Sequence, residues 1–349
     1  MARIRDTVEA DCQSVDVLRP QGTELDALTV EAYLRSRSAS EEAVSTATVW
    51  TRAMLGVDPA EVSALYFLNY CKSGGGLLQL RSDLKGGGQH LRIRQGTQSI
   101  STALAAALAE GIIHLNSPVK DVTQHGINEI EILTADGLKY VGKRAITTVP
   151  SPVLKTIHFT PKLDTAKQTW CETAGYGYLT KVMVVFERAF WSHKGFCGLS
   201  QSFRGPATVV RDTSSPADNK FVLTCFVAGP PGREWAALPA AARESTLLDQ
   251  IAKLFGAEDT IRQDFIEMYM YEWVYDQWSG FGCPCPSLPP GVLDTLGPDA
   301  LRKPLGNVHF AGTETAGEWK GYMEGAVRSG ERAASEVIKA LSLALGPHL

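Results

Sequence analysis

Val308-His309-Phe310-Ala311-Gly312-Thr313-Glu314-Thr315-Ala316, followed after a short link by Trp319-Lys320-Gly321-Tyr322-Met323-Glu324-Gly325-Ala326, is the stretch on which the fold turns. Asn307 to Ala311 reads as a buried strand, small residues make the crossing, and an amphipathic pattern from Tyr322 to about Leu341 reads as a long helix. Free N–H groups and the positive end of the dipole at that helix start suit a partly anionic group. An ordinary strand-to-helix connection that binds nothing has the same pattern.

Working back along the chain, Tyr178 to Phe186 is apolar on both alternating faces except for Thr180 and Lys181, the pattern of a strand buried on both sides. Lys181 is the anomaly. A buried ammonium carries a desolvation penalty tolerated mainly at functional sites, whereas a lysine at a strand edge can extend its head to water. Further strands are expected at Ile112 to Leu115, Val119 to Val122, Ile130 to Leu133, Leu138 to Val141 and Phe221 to Val227, with a turn at Ala135-Asp136-Gly137. Helices are expected from about Thr97 to Glu110 and Pro239 to Phe255. Asp58-Pro59-Ala60-Glu61 supplies capping residues for another through Leu65, Phe67 and Leu68, which Gly74-Gly75-Gly76 ends. Residues 1 to 23 read as a polar, aperiodic lead-in.

The whole composition narrows the function classes. With 349 residues and 44% hydrophobic content, the chain can build a large core or two intertwined domains. Thirty-four basic against 38 acidic residues give a formal charge of −4, which disfavours nucleic acid and anionic membranes as partners and favours small molecules. Seven scattered cysteines without a CxxC pair argue against a disulfide framework and a metal site. No stretch approaches the roughly 18 to 20 apolar residues of a membrane span, the Ala340 to Leu345 run included, and the Gly346-Pro347-His348-Leu349 ending is not a peroxisomal S-K-L signal. A cytoplasmic protein is expected.

The segment from 308 to 334, ending Gly325-Ala326-Val327-Arg328-Ser329-Gly330-Glu331-Arg332-Ala333-Ala334, resembles the C-terminal flavin-binding signature of the monoamine oxidase family, and in particular its soluble, fungal-type members. Glu61-Val62-Ser63-Ala64-Leu65, Gly87-Gly88-Gln89, Thr148-Val149-Pro150, Lys181 to Trp191 and Trp273 to Gly291 follow the family in order. The resemblance runs from about residue 25 to 340. It implies a mixed α/β fold: a Rossmann-like flavin domain at 94–170 and 276–349, interleaved with a mixed-sheet and helical substrate domain at 24–93 and 171–275. Relatives open with a β-α-β unit carrying G-x-G-x-x-G, a fingerprint that does not occur in this sequence, so the flavin domain is expected to be incomplete at its N-terminus.

By the same resemblance the cofactor is FAD and the reaction is oxidation of an amine C–N bond, with oxygen as acceptor and hydrogen peroxide as product. Lys181 matches the lysine that holds a water against the flavin, and Tyr322 one of two aromatic residues flanking the substrate amine. Pro284 stands where the second would be. Cofactor contacts are implied for Val119, Trp273, Cys283, Gly312, Thr313, Glu314, Gly321 and Met323, and Gln89 matches a glutamine of the substrate cavity. Cys283 aligns with a cysteine that some members bond covalently to the flavin, leaving a thioether or an unreactive thiol open. A homo-oligomer or a complementing chain is compatible with this reading. The alternative is a catalytically inactive remnant that binds a ligand or partner chain.

Overall fold

The computed structural model describes residues 1–297 and 299–344, so Pro298, the end of the Ala340 to Leu345 run and the Gly346-Pro347-His348-Leu349 ending lie outside the described residues. The chain divides into two compact units. Unit 1 comprises Met1–Asp6, Thr23–Phe67 and Ala174–Gly291; unit 2 comprises Thr7–Gly22, Leu68–Thr173 and Val292–Leu349. These cuts fall at 67/68, 173/174 and 291/292, against 93/94, 170/171 and 275/276 in the expectation from sequence.

Unit 2 contains a four-stranded sheet made by β1 (Val119–Gln124), β2 (Ile130–Thr134), β3 (Lys139–Gly142) and β5 (His158–Thr160), in the order β3-β2-β1-β5; β4 (Ala145–Thr147) lies outside it. β1 to β3 form an antiparallel meander, and β5 runs parallel to β1. The Ala135-Asp136-Gly137 turn closes with the Gly137 N–H donating to Thr134 O at 3.0 Å, and Gly137 takes φ +88, a value that favours glycine. The strand expected at Ile112 to Leu115 does not form. No neighbouring strand offers those residues a ladder, Asn116 turns the chain at φ +57, and Ile112, Ile113 and Leu115 stay exposed.

Unit 1 is built on an antiparallel sheet of β6 (Leu179–Phe186), β7 (Ser200–Gln201), β8 (Ala207–Asp212), β9 (Phe221–Ala228) and β10 (Phe265–Met270), ordered β10-β6-β9-β8-β7. Its core joins Val182, Val184 and Phe186 of β6 and Leu223, Cys225 and Val227 of β9 to Leu247, Leu248, Ile251 and Phe255 of the helix Ala240–Phe255. The expectation that β6 is buried on both sides is corrected here. Val182, Val184 and Phe186 are buried, but Lys181 and Met183 on the alternate face are exposed, because in this antiparallel sheet the helical layer covers that stretch on one side.

Back in unit 2, β11 (Val308–Phe310) pairs in parallel with β4, all three of its residues are buried, and the helix Met323–Ala344 follows. Two other readings change. The lead-in is a helix, Ala2–Gln13, that buries Ile4, Val8 and Cys12 at a spacing of four residues. The helix through Leu65 starts at Ala64, and Asp58 to Glu61 form a separate turn closed by Glu61 accepting from the Asp58 N–H at 2.7 Å. Ser63 takes over the capping role, its Oγ accepting from the Tyr66 N–H at 3.2 Å. Among the described residues no helix is long and apolar enough to cross a membrane.

Candidate active site

In unit 2 the signature folds into a crossing held by its own side chains. β11 ends as the Ala311 N–H donates to Thr147 O at 2.8 Å. Gly312 then adopts φ +99, and its N–H donates to Ser329 Oγ at 3.0 Å. Thr313 to Thr315 form one short helical turn, from which Thr313 Oγ1 donates to Tyr322 O at 2.9 Å. The crossing is thereby tied to the start of the long helix. Trp319 and Gly321 both take positive φ, +54 and +81, reversing the chain just before Tyr322. A methyl group at Gly325 would come within 2.3 Å of Trp319 O, so the link and the first helical turn approach more closely than a side chain allows.

Glu314 is half-buried in the crossing. Its carboxylate accepts from the Ser151 N–H at 3.0 Å and from Ser151 Oγ at 2.5 Å. Burial pushes the Glu314 carboxyl up from its ordinary value, against the Ser151 hydrogen bonds and the Lys320 charge, which favour the ionised form. Glu314 and Lys320 line a cavity of about 20 Å³ with Trp170, Thr315 and Ala316, room for about one water molecule.

Tyr322 sits in an aromatic group. Its ring centroid is 6.4 Å from that of Tyr70 and 5.6 Å from that of Trp319, the latter nearly edge-on at 75°. The loop that carries Gln89 reaches the same group, since a methyl group at Gly88 would lie 3.3 Å from the Trp319 ring. Gln89 Nε2 donates to Leu80 O at 3.0 Å. Met323, the first residue of the long helix, is exposed, and Val119 opens β1 opposite Thr134 of β2.

Unit 1 brings a second set together. The Lys181 ammonium lies 5.2 Å from the centre of the Phe226 ring, its cross-strand partner on β9. Because Lys181 is exposed, the argument from a desolvated ammonium does not apply to it. Cys283 Sγ donates to Leu179 O at 3.2 Å; burial pushes its thiol up to about 11, with the Lys181 charge working in the opposite direction. Cys285 is fully buried beside Tyr66. Trp273 is exposed and packs edge-on against Tyr271 at 4.7 Å.

Comparison with known proteins gives this arrangement its context. The family model for flavin containing amine oxidoreductase matches residues 18–338. The chain belongs to this family. It is 32% identical over 316 residues to a Dictyostelium discoideum protein named "Probable flavin-containing monoamine oxidase A", covering 90% of this chain and 67% of that one. It is 31% identical to the flavin-containing amine oxidase of Oncorhynchus mykiss, covering 91% of this chain and 60% of that one. Cyclohexylamine oxidase from Brevibacterium oxydans superposes with a TM-score of 0.88 at 27% identity, over 98% of this chain and 76% of that one. The mixed helix-and-sheet architecture expected from sequence is thus the architecture of the family. The chain spans 60 to 67% of the length of the two relatives it matches by sequence.

Sequence reasoning passed over Tyr70, Asn69, Ser151 and Lys320, which hold the family signature in place. Only Lys320 gave a signal, as a lysine between Trp319 and Gly321 in the quoted motif.

Proposed function

We propose that this chain serves the FAD-dependent oxidation of a small-molecule amine at its C–N bond, with oxygen as acceptor and hydrogen peroxide as product. The observation that carries this reading is the aromatic group of Tyr322, Tyr70 and Trp319 at the start of the helix Met323–Ala344. Aromatic faces attract and orient the nitrogen end of an amine.

The donor set of the crossing fits a flavin. The first-turn N–H groups of a 22-residue helix have no acceptors within it, which leaves them to a partner outside the helix. Gly312, Thr313, Glu314, Gly321 and Met323 would hold the cofactor there, with Val119 of the same unit as a further contact. When bound, the flavin supplies the acceptor for the hydride equivalent of the amine and the route of its electrons to oxygen. The protein's own part is to orient the amine through Tyr322 and Gln89, and to present the Lys181 ammonium as a donor to an ordered water. With the Cys283 thiol pushed up to about 11, the protonated form dominates at neutral pH, and a non-covalent flavin is the expected state.

The test is the visible absorption spectrum of the purified chain, read before and after denaturation. Flavin bands released into the supernatant on denaturation, followed by amine-dependent peroxide formation, are the expected result. Flavin retained on the denatured protein would overturn the non-covalent assignment. A folded, colourless chain would overturn the oxidase reading for this chain and favour a binding remnant.

A further inference from the structure

Lys320 is buried within unit 2, and its main chain and side chain are both anchored. Its N–H donates to Ser73 Oγ at 3.1 Å, beside the Trp319 N–H donating to Ser73 O at 2.8 Å. Its ammonium donates to Asn69 Oδ1 at 2.7 Å. Asn69 is itself fully buried, and its Nδ2 donates to Val17 O at 3.1 Å. Asn69 and Ser73 lie one helical turn apart on the helix Ala64–Ser73, so Lys320 grips two successive turns of one rigid element.

The position of these anchors matters more than their number. Lys320 stands between Trp319 at φ +54 and Gly321 at φ +81. A bulky residue at positive φ persists only where its surroundings hold it there. The Lys320 anchors lie one residue on, and the residue after Gly321 is Tyr322. On the other side, Lys320 shares the small cavity with Glu314, whose carboxylate is fixed by Ser151. The ammonium is thus held by a neutral amide, and the Glu314 carboxyl lines the same small cavity.

We propose that Lys320 is a positioning residue: by clamping the Ala316 to Gly321 link to Asn69 and Ser73, it sets the orientation in which Tyr322 is presented to an amine. The part concerning the amine rests on the oxidase reading above; the clamp itself does not. Lys320 touches neither substrate nor cofactor in this scheme and acts through Tyr322.

The test compares the wild-type chain with K320M, K320R and N69A by hydrogen–deuterium exchange resolved to peptides, alongside thermal unfolding. In K320M, amides from Trp319 to Gly325 should exchange roughly tenfold faster while those of β1 and β2 keep their wild-type rates. N69A should reproduce this pattern, the double variant should add nothing further, and K320R, which keeps the charge, should fall closer to wild type. With an amine that supports turnover, K320M should raise KM about tenfold and leave kcat within about threefold. Unchanged exchange in K320M would overturn the proposal, as would a rise spread evenly through unit 2 in step with a lowered Tm. If the wild-type chain forms no peroxide from any amine, the oxidase reading fails, and the exchange pattern still decides whether Lys320 is the clamp.

Discussion

Glu314 and Gly325 show how single atoms constrain the crossing. Glu314 has its folded-state pKa raised by burial, so the folded chain binds a proton that the unfolded chain has already released once pH exceeds the ordinary glutamate value of 4.5. Stability from this group is therefore fully present below that value and is lost as pH rises toward the folded pKa. Glu314→Gln should flatten the fall of Tm with rising pH above 4.5, which calorimetry across a pH series would detect. Gly325→Ala forces a methyl group against Trp319 O and should cost about 1–3 kcal/mol in urea unfolding, the usual range for overpacking. Neither effect is visible in the sequence. Glutamate is a common surface residue, and the glycine's role depends on a carbonyl six residues away that only the folded link brings close.

Among the elements, β6 is the most instructive. Its sequence reads as apolar on both sides, yet one face packs on the helix Ala240–Phe255 and the other carries exposed Lys181 and Met183. Two substitutions separate these faces. Phe186→Ala removes a fully buried ring and should cost about 3–5 kcal/mol by urea unfolding. Lys181→Met should change stability by no more than about 0.5 kcal/mol, since it removes an exposed side chain, while slowing amine-dependent oxygen consumption if the proposed role holds. The helix Ala2–Gln13 carries a different lesson. Ile4, Val8 and Cys12 recur every four residues, but the charged residues between them concealed a narrow apolar stripe.

Over the whole molecule, two units are woven from alternating stretches of one chain, and their boundaries are set by packing. The helix Gln98–Ala106 buries none of its residues, and Ile100, Leu104 and Leu108 are exposed at a four-residue spacing. Leu104→Lys should therefore leave Tm unchanged and reduce binding of a hydrophobic dye, a direct measure of this apolar surface. By itself, the sequence determined the family, the mixed α/β class, the strands β1 to β3 with the turn joining the last two, and the long helix after β11, because periodicity, turn residues and a long motif are local properties of the chain. It also put Tyr322 and Cys283 forward as site candidates, through a resemblance carried by their neighbours in sequence. Only the tertiary structure decided that Lys181 is exposed, that Asn69 and Ser73 grip Lys320, and that Tyr70 lies beside Tyr322. Those facts depend on contacts between residues up to about 250 positions apart, and burial is a property of what covers a residue, which local pattern does not record.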